Sequence, residues 1–498
     1  MLPTGIGKTL IALMLTIERM KKFPGEKVVF LAPTKPLAEQ HLIYFKKHLP
    51  ELFGDMQLFT GQVKSEKRKE IWETADLIFS TPQCIANDLR KGLYTLVGVC
   101  LLIEDEAHRC IKNYDYSYVA KKYLEQALHP RILGLTASPG SEISKIREIC
   151  NNLSIEEVEL RTRESYDVRP YLQKLEIEKI ILELPPEIKR IKEILLRLFR
   201  AYVDELRNRK VFFGFPNKIE LIKLQKRLIL SIAKGNKNYN NLLASSVCAQ
   251  TIRIQHALEL LETQTLAGFN KFLRELLKKA SKKESRGIER LVQKPEFNYA
   301  LINSGKLLEE NIEHPKILKL EEIIQKEKEK NEKIRIIVFT QFRDTAKLIS
   351  KKINEMPGIN TAIFVGQGKK SGSEDVQGLS QKEQRKILED FSERKTNVLC
   401  ATSIGEEGLD IPEVNLVIFY EPVPSAIRAI QRAGRTARLT EGKLIILITK
   451  DTRDEAYFYV SKAKEKKMHS SIDSIKKDFI NQSQKEIQKT FEKNEKDI

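Results

Sequence analysis

The sequence has few cysteines, and none of them is placed to bind a metal. Its six cysteines are scattered over 498 residues, without a CxxC pair or a Cys/His pair at metal-ligand spacing. That pattern argues against a zinc site and against a disulfide framework. No run of about 18 apolar residues predicts a membrane span, and the first residues lack the order of a signal peptide. We therefore expect a cytoplasmic globular protein with reduced cysteines and no membrane partner.

Acidic residues are outnumbered by basic ones. The chain has 86 Lys and Arg against 68 Asp and Glu, a formal net charge of +18. A strongly basic globular protein commonly binds a polyanion such as nucleic acid. A genome biased towards lysine would explain the same composition, so charge alone leaves both interpretations open. The length is sufficient for about three domains.

The chain begins on a phosphate-binding loop without the buried strand that ordinarily precedes one. Its glycines let successive N–H groups point at phosphate oxygens, Lys8 can reach the β- and γ-phosphates, and Thr9 offers a hydroxyl to Mg²⁺. Apolar residues at helical spacing follow, so a helix N-terminus adds to the anion site. The predicted nucleotide-binding residues are Thr4, Gly5, Ile6, Gly7, Lys8 and Thr9. We expect the start to be truncated or mis-assigned, with a strand continuing upstream of Met1.

Hydrophobic patterning divides the chain into four parts. Residues 1–167 and 313–467 alternate apolar strand-like runs with amphipathic helical segments, which predicts two parallel-sheet α/β domains. Residues 168–312 show only helical periodicity and predict an all-helical block. Residues 468–498 form a charged tail, helical or disordered. The predicted strands are Val28–Ala32, Leu77–Ser80, Val99–Glu104, Ile132–Thr136, Ile334–Thr340, Thr361–Val365, Asn397–Ala401, Leu416–Tyr420 and Lys443–Ile448.

Two adjacent acids emerge from the end of a predicted buried strand. Asp105 and Glu106 open the tetrapeptide Asp-Glu-Ala-His directly after the apolar run Val99–Ile103. At that place Asp105 can bind Mg²⁺ opposite Thr9, and Glu106 can orient or deprotonate the water that attacks the γ-phosphate. The pair predicts ATP hydrolysis with Mg²⁺.

With these motifs in order, the chain resembles a superfamily 2 helicase or translocase. The resemblance implies two RecA-like motor domains with ATP between them. It also implies that Thr136 and Ser138 link hydrolysis to nucleic acid, and that Gly405 and Asp410 complete the nucleotide site. The segments that resemble nucleic-acid contacts in the first domain contain Pro33, Thr34, Lys35, Thr60, Gly61, Thr81 and Pro82, and Thr402 opens the fifth motif in the second domain.

A narrower resemblance is to the archaeal Hef helicase and the Fanconi anaemia group M family, with RIG-I-like and Dicer helicases as further relatives. It rests on the stretches 339–344, 364–367, 378–384 and 420–425. From these, Gln341, Arg343, Gly366 and Gln367 are implied to contact nucleic acid. The stretch His256–Gln264 resembles the helical insertion that helps this family grip branched duplex DNA.

The sixth motif places basic side chains on one predicted helix face. Pro424 suits the first turn of a helix, after which Arg428, Gln431, Arg432 and Arg435 recur at spacings of three and four. A solvated basic helix would show the same pattern. Opposite a phosphate loop we favour arginine fingers: Arg435 and Arg438 would reach the γ-phosphate beside Gln431, and Arg432 would pair with the acids of the first domain.

Three further features depart from the family pattern. Glu104 stands where an apolar residue is usual, and strand alternation should turn it away from the metal. Ala437 replaces a usual glycine, which places the reach of Arg438 in question. No nuclease or paired helix-hairpin-helix segment follows the motor, so we expect a separate nuclease or a sliding clamp as partner.

These features predict an ATP-dependent DNA helicase or translocase for forks, flaps or four-way junctions. Two alternatives stay open from the sequence. One is an RNA-directed ATPase of the RIG-I type, because the motor motifs do not encode the sugar. The other is a branched-DNA binding protein whose motor is impaired by the missing strand. Polarity and oligomeric state have no signature in the sequence.

Overall fold

The structure is a computed structural model of the 498-residue chain. It describes residues 1–2, 6–112, 114–163, 165–236, 238–366, 378–402, 411–425, 432–433, 436 and 441–494. This part of the chain forms two parallel β-sheets and a bundle of helices, and in the sequence the bundle lies between the first sheet and all but one strand of the second. The predicted fold class, two α/β domains with a helical insertion, is confirmed.

The first domain is a five-stranded parallel sheet with helices on its faces. Its strand order is β2-β3-β1-β4-β5, so β4 lies inside the sheet and all seven of its residues are buried. Its elements are α1 (Lys8–Lys22), β1 (Lys27–Leu31), α2 (Lys35–His48), β2 (Met56–Phe59), α3 (Ser65–Thr74), β3 (Leu77–Ser80), α4 (Pro82–Arg90), β4 (Val99–Asp105), α5 (Asp115–Gln126), β5 (Ile132–Leu135) and α6 (Ile143–Asn152).

The residues at the start of the chain lie beside β5, the edge strand of this sheet. The Leu2 N–H donates to the Thr136 carbonyl just beyond β5, and the Arg161 N–H donates to the Met1 carbonyl. The first two residues therefore bridge the end of β5 and a later segment of the same domain.

The middle of the chain forms a helical bundle with its own apolar core. Its helices are α7 (Pro186–Asn208), α8 (Lys218–Ala233), α9 (Tyr239–Thr263), α10 (Leu266–Ser281), α11 (Arg286–Val292) and α12 (Pro295–Glu309). The helical periodicity of this part of the sequence is seen in α7, where Ile188, Ile191, Leu195 and Leu198 are all buried on one face.

The second domain is a six-stranded parallel sheet in the order β6-β11-β10-β7-β9-β8. Its elements are β6 (Leu175–Leu182), α13 (Pro315–Lys330), β7 (Ile336–Phe339), α14 (Arg343–Asn354), β8 (Thr361–Phe364), α15 (Gln381–Ser392), β9 (Val398–Ala401), β10 (Leu416–Phe419), β11 (Gly442–Thr449) and α16 (Arg453–Asn494).

Strand β6 corrects the prediction that residues 168–312 are entirely helical. Residues Leu175–Leu182 pair along their whole length with β11 of the second domain. The strand lies at the edge of the sheet, and its exposed positions include Glu176, Ile177 and Ile181. An edge strand with one solvated face carries a weaker apolar signal than a central strand of a parallel sheet.

The charged tail is helical through Asn494 and is anchored to the first domain. Met468, Ile472 and Ile475 of α16 are buried and pack with Ile146 and Cys150 of α6. Their spacing of four and three places them on one helix face. The sequence leaves a helical and a disordered tail open, and the structure shows a helix over the part of the tail that it describes.

Buried polar contacts join the bundle to the second domain. Lys316 Nζ lies 2.5 Å from Asp454 Oδ2, and both side chains are fully buried. Lys316 also donates to the Thr263 carbonyl at the end of α9, at 3.0 Å. The Tyr420 hydroxyl donates to the next carbonyl, that of Gln264. The orientation of the bundle on the second sheet is thus held by specific polar contacts.

None of the described helices combines the length and the apolar character that crossing a membrane requires.

Candidate functional site

The predicted phosphate loop leads into the N-terminus of α1. Gly7 has φ 82° and ψ 29°, a left-handed conformation that glycine adopts without steric cost. Lys8 is the first residue of the helix, and its Nζ donates to the Leu2 carbonyl at 3.2 Å. Ile6, Gly7, Lys8 and Thr9 therefore lie at a helix end that favours anions. Thr4 and Gly5 lie outside the described residues.

The two predicted magnesium ligands contact the same histidine. Asp105 is the last residue of β4, and its Oδ2 lies 3.0 Å from His41 Nε2. Thr9 Oγ1 lies 3.5 Å from His41 Nδ1. Burial would raise the pKa of Asp105, but the hydrogen bond from His41 and the nearby positive charge of Lys8 help to bring it below its ordinary value. Sequence reasoning missed His41, although it lies on α2, the helix that begins at Lys35.

The donor set at this point suits magnesium. A carboxylate oxygen and a hydroxyl oxygen are hard ligands, and Mg²⁺ commonly takes one or two protein ligands with water and substrate phosphates. Within the described ranges, no group of three or more His, Cys, Asp or Glu side chains could hold a metal alone. Thr9 and Asp105 therefore fit a magnesium ion that arrives with a nucleotide.

The second acid is connected to the predicted coupling segment. Glu106 has a left-handed backbone, with φ 52° and ψ 46°. His108 Nδ1 lies 3.2 Å from Glu106 Oε2 and 3.1 Å from Thr136 Oγ1. Thr136 Oγ1 in turn accepts the Ser138 N–H at 3.1 Å. A continuous set of contacts therefore runs from Glu106 through His108 to Thr136 and Ser138.

Glu104 faces the protein interior. It is fully buried beside Cys110, and burial raises its pKa well above the ordinary value. Burial thus disfavours a negative charge on Glu104 next to Asp105. The direction of Glu104 agrees with the strand alternation used in the sequence prediction.

The predicted nucleic-acid segments of the first domain follow three neighbouring strands. Pro33-Thr34-Lys35 follows β1, Thr60-Gly61 follows β2, and Thr81-Pro82 follows β3. The carboxyl ends of parallel strands meet at one edge of the sheet. Lys35 Nζ donates to Gln62 Oε1 at 2.6 Å, so the first two segments are in contact.

A buried ion pair between α3 and α4 links two of these nucleic-acid segments. Arg68 of α3 donates to Asp88 of α4 through Nε at 2.7 Å and Nη2 at 2.5 Å. Arg68 also donates to the Thr60 carbonyl at 3.3 Å. Because α4 begins at Pro82, the pair links the Thr60-Gly61 segment to the Thr81-Pro82 segment.

The described segments of the second domain also meet at the carboxyl edge of their sheet. Arg343, after β7, donates through Nη2 to the carbonyl of Gly366, after β8, at 2.9 Å. The Thr402 N–H, after β9, donates to the Phe364 carbonyl at 3.1 Å. The Gln341 N–H donates to Glu421. Gln367 lies outside the described residues.

The structure places Arg432 differently from the prediction. Its side chain is fully buried in the second domain, with its guanidinium 5.0 Å from the Phe339 ring and 5.7 Å from the Phe419 ring. It also lies near Glu421, whose pKa is raised to about 7 because burial outweighs the attraction of Arg432 and Lys316. Among the described residues, the surroundings of Arg432 are thus aromatic rings and a nearby acid of its own domain, in place of the expected acids of the first domain. The remaining predicted residues, Gly405, Asp410, Gln431, Arg435 and Arg438, lie outside the described residues.

Three family models match successive parts of the chain. A DEAD/DEAH box helicase model matches residues 1–146. A helical-bundle model, provisionally named for an ATP-dependent RNA helicase, matches residues 187–309. A helicase conserved C-terminal domain model matches residues 315–440. The matches follow the order of the two sheets and the bundle between them.

Several proteins are similar to nearly the whole chain. A Methanocaldococcus jannaschii protein, provisionally named an ATP-dependent RNA helicase, is 38% identical over 94% of this chain and 58% of its own length. The Fanconi anemia group M protein homolog of Mus musculus is 30% identical over 95% of this chain and 25% of its own. The ATP-dependent DNA helicase mph1 of Neurospora crassa is 32% identical over 92% of this chain and 40% of its own. The matched part of this chain thus covers between a quarter and three fifths of the length of each of these relatives.

A solved structure resembles the chain over nearly its full length. The crystal structure of the Pyrococcus furiosus Hef helicase domain matches with a TM-score of 0.69 and 40% sequence identity. The match covers 92% of this chain and 94% of that chain.

Proposed function

This chain belongs to the family of the Hef and Fanconi anaemia group M helicases, a family of ATP-dependent helicases, and from that premise we propose that it hydrolyses ATP to move along branched DNA. The observation that carries the proposal is the meeting of Thr9, Asp105 and Glu106 at the end of β4, beside the N-terminus of α1. Phosphate, metal and attacking water each find a suitable partner there.

Each residue at this site would have a distinct role in hydrolysis. The loop N–H groups and Lys8 would bind the nucleotide phosphates, and Thr9 and Asp105 would hold magnesium, which neutralises charge on the transferring phosphoryl group. Glu106 would orient the attacking water and accept its proton. From the second domain, Arg435 and Arg438 would stabilise the transition state, with Gln431, Gly405 and Asp410 completing the site.

Translocation would use the segments at the carboxyl edges of both sheets. Lys35, Thr81 and Thr402 follow strands of the two domains, and basic or hydroxyl side chains there suit contacts to the phosphate backbone. Such contacts carry no base preference, which suits a motor that moves along any sequence. The contacts from Glu106 through His108 to Thr136 support a link between hydrolysis and this movement.

The helical bundle supports the preference for branched DNA. Residues 207–234 contain eight Lys or Arg and one Glu. Within this stretch, Phe213 and Phe215 are 80% and 79% exposed. Basic surface with exposed aromatic rings suits single-stranded nucleic acid at a junction, because bases can stack on the rings.

The bundle also contacts a nucleic-acid segment of the motor. Gln255 of α9 donates to the Pro216 carbonyl beside the two exposed phenylalanines. The next residue, His256, packs its ring against Phe342, which lies between Gln341 and Arg343. DNA held by the motor would therefore pass close to the loop that contains Phe213 and Phe215.

ATP hydrolysis tests the proposal when forked DNA, blunt duplex DNA and duplex RNA are compared. We expect forked DNA to stimulate the wild-type chain most. Lys8→Ala should lose ATP binding, whereas Glu106→Gln should bind ATP and hydrolyse it about 10²–10⁴-fold more slowly. Hydrolysis that forked DNA does not stimulate, or that survives Glu106→Gln, would contradict the proposal.

One observation favours RNA as a second candidate substrate. The Methanocaldococcus relative and the helical-bundle model both carry RNA helicase names. Stronger stimulation by duplex RNA than by forked DNA in the same assay would select this candidate. Tight fork binding without any ATP hydrolysis would instead select a DNA-binding protein with an impaired motor. A separate nuclease or sliding clamp as partner remains part of the proposal and is tested by co-purification.

A further inference from the structure

We propose that His41 is a positioning residue for the magnesium–nucleotide site, and that helix α2 uses it to couple nucleic-acid binding and domain contact to that site. The inference rests on the proposed ATPase function and names a residue outside the motifs that carry it. Its basis is the set of contacts made by three side chains of α2.

The contacts of His41 determine its tautomer. An ionised Asp105 can only accept hydrogen bonds, so Nε2 must carry the proton that it donates at 3.0 Å. Nδ1 faces the Thr9 hydroxyl at 3.5 Å and accepts a hydrogen bond from it in the tautomer whose only proton is on Nε2. With its proton directed at Nδ1, the Thr9 oxygen presents its lone pairs for a cation. One imidazole thus orients both predicted ligands.

The ring of His41 is itself held in place. The residue is 6% exposed, and its ring centroid lies 4.4 Å from that of Phe30 in β1. A buried ring with one packed face and both nitrogens engaged has little rotational freedom. Partners of metal ligands that are fixed in this way commonly set ligand orientation and metal affinity.

Helix α2 connects this histidine to two other functional surfaces. At its first residue, Lys35 donates at 2.6 Å to Gln62, the residue that follows the predicted nucleic-acid segment Thr60-Gly61. One turn later, Glu39 forms an ion pair with Arg385 of α15 in the second domain. His41 follows two residues further along and about 9 Å from Lys35 along the axis, at 1.5 Å per residue. A shift of the helix caused by DNA or by domain closure would therefore move the imidazole against Asp105 and Thr9.

Four variants separate the two contacts of the ring. His41→Ala removes both contacts, and His41→Gln can restore a donor near the place of Nε2. In His41→Asn the shorter side chain places its amide near the position of Nδ1 and not near that of Nε2. His48→Ala removes the exposed histidine at the end of the same helix and serves as the matched control. Thermal unfolding of each variant checks that the domain folds.

The primary readout is binding of Mn²⁺ in the presence of ADP, followed by electron paramagnetic resonance. We expect His41→Ala to weaken Mn²⁺ binding by about 10–100-fold, the range for lost partners of metal ligands. His41→Gln should recover most of the affinity, and His41→Asn should recover little. ADP affinity in EDTA should be the same for all variants and for the His48→Ala control. The ratio of ATP hydrolysis with and without forked DNA should fall in His41→Ala.

Wild-type Mn²⁺ affinity in a folded His41→Ala protein would overturn the inference. An equal loss of ADP affinity in EDTA would also overturn it, because the defect would then be a general distortion of the pocket. An unchanged DNA stimulation ratio in His41→Ala would refute the coupling role of α2. If DNA does not stimulate ATP hydrolysis by the wild-type chain, the proposed function itself is refuted. The wild-type assay alone shows this result, so it is distinguishable from a failure of the His41 inference.

Discussion

Replacement of Asp88 by alanine would remove one side of a buried ion pair beneath the predicted nucleic-acid segments. Asp88 is fully buried and accepts hydrogen bonds from Arg68 Nε, Arg68 Nη2 and the Tyr94 hydroxyl, at 2.7, 2.5 and 3.0 Å. Removing one partner leaves the Arg68 charge buried without its carboxylate, which costs about 3–5 kcal/mol. Replacing the pair with apolar residues of similar size is often neutral. We therefore expect Asp88→Ala to be strongly destabilising and the double variant Arg68→Met/Asp88→Leu to recover most of the loss.

Tryptophan fluorescence can follow this region alone. The chain has a single tryptophan, Trp72, which is buried and stacks on Tyr94 with ring centroids 3.9 Å apart. Urea unfolding monitored by its emission reports on the first domain, whereas circular dichroism reports on every domain, so the two transitions need not coincide. The matched control is Arg90→Ala on the same helix, because its ion pair with Asp115 is partly exposed and contributes about 0–1 kcal/mol.

Two results would refute this reasoning. One is an Asp88→Ala domain whose stability lies within about 0.5 kcal/mol of the wild type, the range of ordinary surface substitutions. The other is a double variant as unstable as Asp88→Ala, which would place the cost in lost packing and not in an uncompensated charge. If the pair supports the nucleic-acid segments, Asp88→Ala should also lower stimulation of ATP hydrolysis by forked DNA at temperatures where it is folded.

Three further predictions concern other parts of the chain. Burial raises the pKa of Glu421 from 4.5 to about 7, so between these pH values the folded state binds a proton that the unfolded state has released. Stability should therefore fall as the pH rises between these values, by on the order of 3 kcal/mol relative to Glu421→Gln in thermal unfolding, and parallel pH profiles would contradict this. Ile472→Ala should cost about 2–5 kcal/mol at the contact of α16 with α6 and increase hydrogen exchange there, whereas Asp473→Ala on the exposed face should not. Phe213→Ala and Phe215→Ala should each weaken fork binding in fluorescence anisotropy by about 1–3 kcal/mol if bases stack on the rings, and unchanged affinity would remove the loop from the binding surface.

The central parts of the fold were predictable because burial leaves a strong pattern. Strand β4 is an uninterrupted apolar run up to Ile103, and α7 carries an apolar stripe at helical spacing. The elements that were missed lie at edges. Strands β2 and β6 contain polar or exposed positions, and the three anchors of α16 lie within a strongly charged stretch.

The acids of the candidate site were predictable for a related reason. Asp105 and Glu106 follow a buried strand, and a parallel sheet gathers the ends of its strands at one edge. His41 was not predictable from periodicity, because its contact with Asp105 depends on β1 lying next to β4 in the sheet. The pattern of strand and helix along the chain does not specify that order.

The packing of Arg432 depended on residues distant in the sequence. Its spacing suggests a helix face directed at the nucleotide, but the rings of Phe339 and Phe419, from neighbouring strands, surround its guanidinium. Cation–π contacts and the nearby Glu421 supply an environment for the buried charge within its own domain.

The most direct test of the proposed function is the steady-state rate of ATP hydrolysis as forked DNA is titrated into the wild-type chain and into Glu106→Gln. We predict that the fork raises the wild-type rate more than blunt duplex DNA or duplex RNA does. We also predict that Glu106→Gln binds the fork normally and hydrolyses ATP about 10²–10⁴-fold more slowly. A wild-type rate that does not respond to forked DNA, or a Glu106→Gln rate equal to the wild type, would contradict the assignment of a DNA-dependent motor with its catalytic acid at the end of β4.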